Sequence, residues 1–307
     1  MLCLAGPTGS GKTAIAVRLA AELGLEIVNA DSRQVYAEFP IITAQPAEAE
    51  QGGIAHHLYG FLPSAEKMSA GRYARAALQK ISGLAAEGRA ALLVGGTGLY
   101  FQALLRGMAV IPPVPRATGE AIWRRMQEHG PKALHAELAE IDPQAAARLH
   151  PNDRQRIARA LEVFAATGRP LSWWQANSRP KPPCSGPLIF IDESLDRLLP
   201  RLERRIDDML GQGALDEAAR AMARNERLDL PAFEGIGIRE AVDFLAGRIS
   251  LGECRASWLA RTRAYAKRQL TWFRARPESI AMAAHDFSGI LKLARNALAR
   301  GAAPGVA

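Results

Sequence analysis

The run Gly6-Pro7-Thr8-Gly9-Ser10-Gly11-Lys12-Thr13 constrains this chain more than any other feature. It matches G-x-x-x-x-G-K-[ST], the phosphate-cradling P-loop, without a mismatch. Such a loop works as the turn between a buried strand and a helix, where backbone N–H groups and the helix N-terminus converge on phosphate oxygens. The flanks comply. Leu2-Cys3-Leu4-Ala5 is a short apolar run that predicts a buried strand. Lys12 to Leu23 is rich in Ala, Leu and Ile and stops at Gly24, which predicts a helix. Lys12 adds a full positive charge, and the Thr13 hydroxyl is placed to hold Mg²⁺. Gly6, Thr8, Gly9, Ser10, Gly11, Lys12 and Thr13 are therefore the expected polyphosphate site.

Residues 1 to 110 alternate between strand and helix patterns. Glu26 to Ala30 predicts a second strand, ending in Asp31-Ser32, and Ala90 to Val94 a third, ending in Gly95-Gly96-Thr97-Gly98. A helix follows over Leu99 to Leu105. The alternation argues for an α/β fold, a P-loop NTPase-like parallel sheet flanked by helices. Ligands of such sheets bind beyond the carboxyl ends of the strands, so the P-loop, Asp31 and Thr97 should meet in one crevice. Proline-rich breaks stand at Ile111–Pro115 and Arg179–Pro183. Between them the pattern is helical, and Pro187 to Asp192 restores a strand. The expected organisation is a discontinuous catalytic core, 1–115 with 185–307, and an all-helical insertion domain, 116–184. Asn152 to Val163 reads as a helix, with Gln155 spaced to close a capping box with Asn152. From Leu195 onward the chain reads as helical, with Arg205 in a helix over Pro200 to Leu210 and a disordered tail from Gly301.

The chain carries a formal charge of +8 over 307 residues, which fits an anionic partner beyond the phosphate site itself. Its three cysteines, Cys3, Cys184 and Cys254, form neither a disulfide framework nor a zinc pattern, so a reducing cytoplasm is expected. The P-loop strand occupies the place of a signal peptide, and no apolar run reaches membrane-spanning length. A monomer with no membrane partner is expected.

A P-loop enzyme that hydrolyses nucleotides holds Mg²⁺ with a second carboxylate at another strand end. Here the strand Ala91–Val94 ends in Gly-Gly-Thr-Gly instead, and Asp31 and Asp192 are the carboxylates at other strand ends. The Gly95–Leu99 turn offers backbone N–H groups and a hydroxyl, which suit a neutral polar group or a further part of a phosphate ligand. His56 and His57 have no metal-ligand spacing with other His or Cys and read as structural.

Several segments together resemble the tRNA dimethylallyltransferase (tRNA isopentenyltransferase) family, bacterial type. They are the P-loop, Asp31-Ser32-Arg33-Gln34-Val35-Tyr36, Thr43-Ala44-Gln45-Pro46, His56-His57-Leu58 and Leu92 to Gly107. The order continues with His150 to Val163, Arg205 to Leu210, Gly235 to Glu240 and Tyr265 to Phe273. The resemblance implies transfer of a dimethylallyl group from dimethylallyl diphosphate to N6 of the adenine 3′-adjacent to the anticodon. It also implies that the P-loop grips a diphosphate rather than ATP, with Mg²⁺ on Thr13.

The reaction breaks a C–O bond to diphosphate, so negative charge on the leaving group must be stabilised; Lys12 and the P-loop amides suit this. Arg205 matches a family arginine assigned near the diphosphate. The attacking amine must lose a proton, and Asp31 is the natural general base, in agreement with the family's assignment. Thr97 can hold the same amine in line. The resemblance further implies tRNA contacts at Asp31, Ser32, Arg33, Gln34, at Gln155, Arg156 and Arg159, and at Gly235, Ile236, Gly237 and Arg239.

Arg255 to Arg276 carries seven basic residues and no acidic one. Lys267 and Arg268 belong to this stripe and suit phosphate contacts. Trp258, Thr262, Tyr265, Gln269 and Trp272 share one helical face. A target base stacked in the anticodon loop would have to be extruded into the crevice.

Three positions depart from the family pattern. Ile238 stands where relatives carry Tyr, Ile42 where they carry Gly, and Gly119 near a usual arginine. Two competing readings remain at this point. A small-molecule or nucleotide kinase on the same core predicts ATP turnover, and a catalytically silent RNA-binding relative predicts none.

Overall fold

The computed structural model describes residues 1–178, 181–225 and 227–301. The chain divides into two compact units, Met1–Leu105 with Pro183–Ala307, and Arg106–Pro182.

The first unit begins with β1 (Leu2–Ala5), α1 (Lys12–Leu23), β2 (Leu25–Asn29), β3 (His56–His57), α2 (Ala70–Ala86), β4 (Ala90–Gly95) and α3 (Gly98–Leu105). In the second unit are α4 (Arg116–Ile141), α5 (Pro143–Ala146), α6 (Arg154–Thr167) and α7 (Leu171–Asn177). The first unit resumes with β5 (Leu188–Ile191), α8 (Leu195–Gly211), α9 (Ala214–Arg224), α10 (Ile238–Leu245), α11 (Leu251–Arg274), β6 (Ser279–Met282) and α12 (Phe287–Gly301).

The strands of the first unit form one parallel sheet of order β3-β2-β4-β1-β5-β6. Successive residues of a strand point to opposite faces, and both faces here are buried. Cys3, Ala5, Val28, Leu93 and Phe190 pack with residues of α2, α3, α8 and α11. Leu2, Leu4, Ile27, Leu92 and Ile189 pack with residues of α1 and α12. That is why β1, β4 and β5 read as unbroken apolar runs.

The carboxyl ends of β1, β4 and β2 are stitched together. The Gly6 amide donates to the Gly95 carbonyl at 3.2 Å, Ala30 to Val94 at 2.7 Å and Thr97 to Ala30 at 3.2 Å. The P-loop, Thr97 and Asp31 therefore leave the sheet side by side.

Three expectations are corrected. The segment after Leu195 is not all helical: β6 pairs in parallel with β5, Ile189 opposite Ile280. Its burial is only partial, Ile280 is exposed, and the Ala-rich run Ile280 to Ala284 fits a helix as well as a strand. The helix carrying Arg205 starts at Leu195 rather than Pro200, capped by the Ser194 hydroxyl; it carries Pro200 inside, beside exposed Asp196. The helix expected from Asn152 starts at Arg154, and Asp153 caps it by accepting from the Arg156 amide at 3.2 Å. Gln155 therefore closes no capping box with Asn152. The expected tail lies, beyond Gly301, outside the described residues, as do residues 179 and 180 of the second proline-rich break.

The second unit is helical throughout its described elements. α4 breaks at Gly130, whose φ of 76° precedes Pro131. Ile122, Met126, Leu134, Leu138, Ile157 and Leu161 form its core. Buried Asp142 accepts from the amides of Ala145 and Ser172 at 3.0 and 2.9 Å, joining α5 to α7. The division falls at Arg106 and Pro182, against 116 and 184 expected from the proline breaks.

Candidate active site

The P-loop follows β1, and two of its glycines hold left-handed backbone. Gly9 has φ of 80°, and a Cβ there would meet Leu202 Cδ2 at 2.7 Å. So α8 lies directly over the loop, and glycine is required for both reasons. Gly11, also left-handed, caps α1. The Ser10 side chain turns inward: it is 1% exposed and its hydroxyl has no hydrogen-bond partner among the described residues. Its amide donates to the Pro7 carbonyl at 3.2 Å. Thr13 stands half-buried in the first turn of α1.

A cavity of about 250 Å³ opens beyond the loop. Thr8, Lys12, Asp31, Arg33, Gln34, Arg205, Gly235, Ile236 and Arg268 line it, so nine of the sequence-expected site residues share one space. Apolar side chains of α8 (Leu202, Ile206 and Met209) line it too, with Ile42 and Trp258. The lining thus combines cationic and apolar side chains.

Burial draws the Lys12 ammonium down from its usual value to about 8, opposed by the charge of Asp31 and reinforced by that of Arg205. Burial also lowers Arg205, again opposed by Asp31. These two cations are therefore held close together, with the Asp31 carboxylate acting on both and Glu50 on Arg205 as well. Such a site favours a multiply charged anion.

Asp31 is fixed by its own turn. Its amide donates to Asn29 Oδ1 at 2.8 Å, and its Oδ1 accepts from the Arg33 amide at 2.9 Å. Asn29 is fully buried and anchors the turn further, donating to the carbonyls of Asp31 and Leu58. Thr97 Oγ1 accepts from the Ser32 amide at 2.9 Å and lies 3.2 Å from Ser32 Oγ. Tyr265 bonds the same Thr97 hydroxyl, and burial, then the charge of Asp31, pushes its phenol up. Thr97, Ser32 and Asp31 are thus one polar cluster at the strand ends.

Other expected residues have different surroundings. The Gln34 amide donates to the Thr43 and Ala44 carbonyls at 3.2 and 2.5 Å, so its nitrogen serves the 39–45 loop. Gly237 does not line the cavity. Its φ is 88°, and a Cβ would meet the Trp258 ring at 2.4 Å, so glycine there is a packing requirement. Arg239 is exposed and lines a neighbouring depression with Glu234, Asp243 and Arg248. Lys267 is exposed on α11, and Arg268 sits 5.7 Å from the Tyr265 ring centroid. Gln155, Arg156 and Arg159 are exposed on α6 of the second unit, where Arg156 pairs with Asp153 at 3.0 Å. Asp192, a carboxylate at another strand end, is bound by Arg274 at 2.7 Å.

Sequence reasoning missed the residues that hold the site together. Gln269 is 4% exposed; its Oε1 accepts from the Thr8 amide at 3.0 Å and its Nε2 donates to the Gly96 carbonyl at 2.9 Å. It ties the P-loop to the Gly-Gly-Thr-Gly turn. Buried Glu240 accepts from the Gly237 amide at 2.7 Å and pairs with Arg261, a cavity-lining residue. Glu217 receives the amides of Ile41 and Ile42. The advance signal was for Gln269, a polar residue on the helical face that carries Trp258, Tyr265 and Trp272.

Among the described residues, no group of three or more His, Cys, Asp or Glu side chains is placed to hold a metal ion. His57 pairs with Glu26 at 2.5 Å, and burial pushes the Cys3 thiol up to about 12, so neither is a ligand or nucleophile at this site. No described helix is long and apolar enough to cross a membrane.

A family model described as IPP transferase matches residues 34–276, beginning after the P-loop and Asp31. A tRNA dimethylallyltransferase of Desulfovibrio desulfuricans is 55% identical over 294 residues, 96% of this chain and 91% of that protein. One of Parvibaculum lavamentivorans is 49% identical, over 88% of this chain and 86% of the other. Among solved structures, the tRNA isopentenylpyrophosphate transferase of Bacillus halodurans superimposes with a TM-score of 0.68 at 32% identity, covering 98% of this chain and 95% of that one. A eukaryotic dimethylallyltransferase acting on tRNA gives a TM-score of 0.79 at 27% identity, covering 96% and 76%.

Proposed function

The chain belongs to the IPP transferase family, and from that premise we propose that it transfers a dimethylallyl group from dimethylallyl diphosphate to N6 of the adenine 3′-adjacent to the anticodon (position 37) of tRNA. The observation that carries the reading is one cavity lined by Lys12, Arg205 and the Asp31 carboxylate together with Leu202, Ile206 and Met209. A prenyl diphosphate needs both kinds of lining, whereas the triphosphate of a nucleotide needs only the first.

In this mechanism the adenine N6 lone pair forms the new N–C bond at the allylic carbon. The C–O bond breaks, and its electron pair leaves with diphosphate. Lys12, Arg205 and the P-loop amides take up that charge in a site already arranged for it. Asp31 accepts the N6 proton, its carboxylate held by the Arg33 amide. Thr97 aligns the amine, and its hydroxyl is oriented by Ser32 and Tyr265.

Mg²⁺ would be held by the Thr13 hydroxyl together with the diphosphate's own oxygens and water. Mg²⁺ normally keeps several waters and takes few protein ligands beside substrate phosphates. Bound there, it would neutralise further charge on the leaving group.

The tRNA anticodon stem-loop is the proposed partner. Arg33, Arg268, Gly235 and Ile236 meet it at the cavity, and Lys267 and Arg239 on surfaces outside. Gln155, Arg156 and Arg159 form an exposed polar and basic face suited to the same RNA. Activity as a cytoplasmic monomer is part of the proposal.

The test is incubation with Mg²⁺, labelled dimethylallyl diphosphate and unmodified tRNA, with ATP in a parallel tube. Label should enter tRNA and vanish when the adenine beside the anticodon is replaced. Consumption of ATP without label transfer would give the site to a kinase.

A further inference from the structure

A second depression, of about 460 Å³, opens beside the catalytic cavity, and Glu234 lines both. The chain that separates them is short. Gly235 and Ile236 line the first and Arg239 the second, and the Arg239 amide donates to the Gly235 carbonyl at 3.2 Å. A polymer with one unit extruded into the first space therefore brings a neighbouring unit to the second.

The second lining is chemically mixed. Leu228, Phe233 and Val242 are its apolar members; Phe233 and Val242 are buried, and Leu228 is exposed. Two of its charged groups are met within the protein: Arg227 donates to Asp229 at 2.9 Å, and Arg248 to Asp243 at 2.8 Å. Arg239 and Glu234 differ. Both are exposed, and neither forms an ion pair among the described residues.

An apolar bed with one free guanidinium and one free carboxylate fits a single nucleotide. The bed takes the face of an unstacked base, and the guanidinium takes a phosphate. The carboxylate is the discriminating group. When ionised it only accepts hydrogen bonds, and it repels phosphates. On a surface that meets RNA it is favourable where a base amine reaches it, as cytosine N4 does.

We propose that this depression is a subsite for one nucleotide flanking the target adenine. Its base lies on Leu228, Phe233 and Val242, its phosphate meets Arg239, and Glu234 accepts from an exocyclic amine of that base. The inference rests on the proposed reaction with tRNA and adds a second place where the anticodon loop is read.

The experiment measures binding of a fluorescent anticodon stem-loop to the full chain by anisotropy, so no transfer is needed. Each nucleotide flanking the target adenine is replaced in turn by an abasic residue. At one of the two positions wild type should lose about 5-fold or more in affinity. In Leu228→Asp that loss should fall to nearly nothing, because the base contact is already gone. The ratio of the two affinities does not depend on how much of the variant is folded, and any general repulsion acts on both RNAs alike. Arg239→Gln should weaken both RNAs and reduce the salt slope by about 0.7, the share of one single-strand phosphate. At the sensitive position cytidine should bind about 5-fold or more tighter than uridine, which lacks the amine, and Glu234→Gln should erase that preference. The subsite is overturned if neither abasic residue matters, or if Leu228→Asp leaves the abasic loss unchanged. An unchanged salt slope overturns the role of Arg239, and equal binding of cytidine and uridine overturns that of Glu234. A wild type that does not bind the stem-loop at all overturns the tRNA reading itself, and this inference with it.

Discussion

Replacing Gln269 by Met tests whether the two halves of the site are held as one. The side chain is close in length but offers neither donor nor acceptor. The Gly96 carbonyl is buried and loses the Nε2 donor at 2.9 Å; leaving such a group unpaired costs about 1–3 kcal/mol. The Thr8 amide, part-exposed, loses the Oε1 acceptor at 3.0 Å but can turn to water, at about 0.5–1.5 kcal/mol. The expected destabilisation is therefore about 2–4 kcal/mol, read as the shift of the urea unfolding midpoint followed by circular dichroism. Because Thr8 is part of the cradle, affinity for inorganic diphosphate with Mg²⁺, measured by calorimetry, should fall as well. Gln269→Glu separates the two effects: its carboxylate still accepts from Thr8 but sets an oxygen against the Gly96 carbonyl and a negative charge beside the anion site. It should lose more diphosphate affinity than the Met variant. If Gln269→Met unfolds within about 0.5 kcal/mol of wild type and binds diphosphate unchanged, the bridge is not what joins the P-loop to the Gly-Gly-Thr-Gly turn.

Lys12, drawn down to about 8 by burial, is protonated below that pH and neutral above it, so diphosphate affinity should be constant below pH 8 and fall as pH rises through it. Calorimetry across pH 6.5 to 9.5 reads this directly, and a flat profile would show that the ammonium carries no part of the binding. Asp31→Asn keeps the Arg33 amide bond but removes the proton acceptor; it should cut kcat by about 10²- to 10⁴-fold and leave diphosphate binding at least as tight. Transfer at near wild-type rate would remove Asp31 from the role of base.

What could be read in advance follows from how far each residue's partners lie along the chain. The P-loop is local: its strand, turn and helix are contiguous, and its glycines are demanded by φ and by Leu202. Asp31 and Thr97 were legible because apolar runs mark strand ends and strand ends mark the crevice. β6 was not, since Ser279–Met282 is an edge strand with two exposed residues, and its Ala-rich run fits a helix equally well. Gln269, Glu217 and Glu240 were not legible for a different reason. Glu217 stands 175 residues from Ile42, and Gln269 stands 261 from Thr8 and 173 from Gly96. In sequence each is one more polar residue on a helix, and only tertiary packing turns it into a buried group that must be satisfied.

The division has a functional consequence. Lys12, Asp31 and Arg205 line the cavity, so altering them should change binding or chemistry and spare the fold. Glu217, Glu240 and Gln269 direct theirs at backbone groups of the 39–45 turn, the Gly237 turn and the strand-end loops. Changes there should move stability and ligand affinity together. A substitution at the first set that melts the protein, or one at the second set that alters the chemical step without touching stability, would show that the cavity is organised differently.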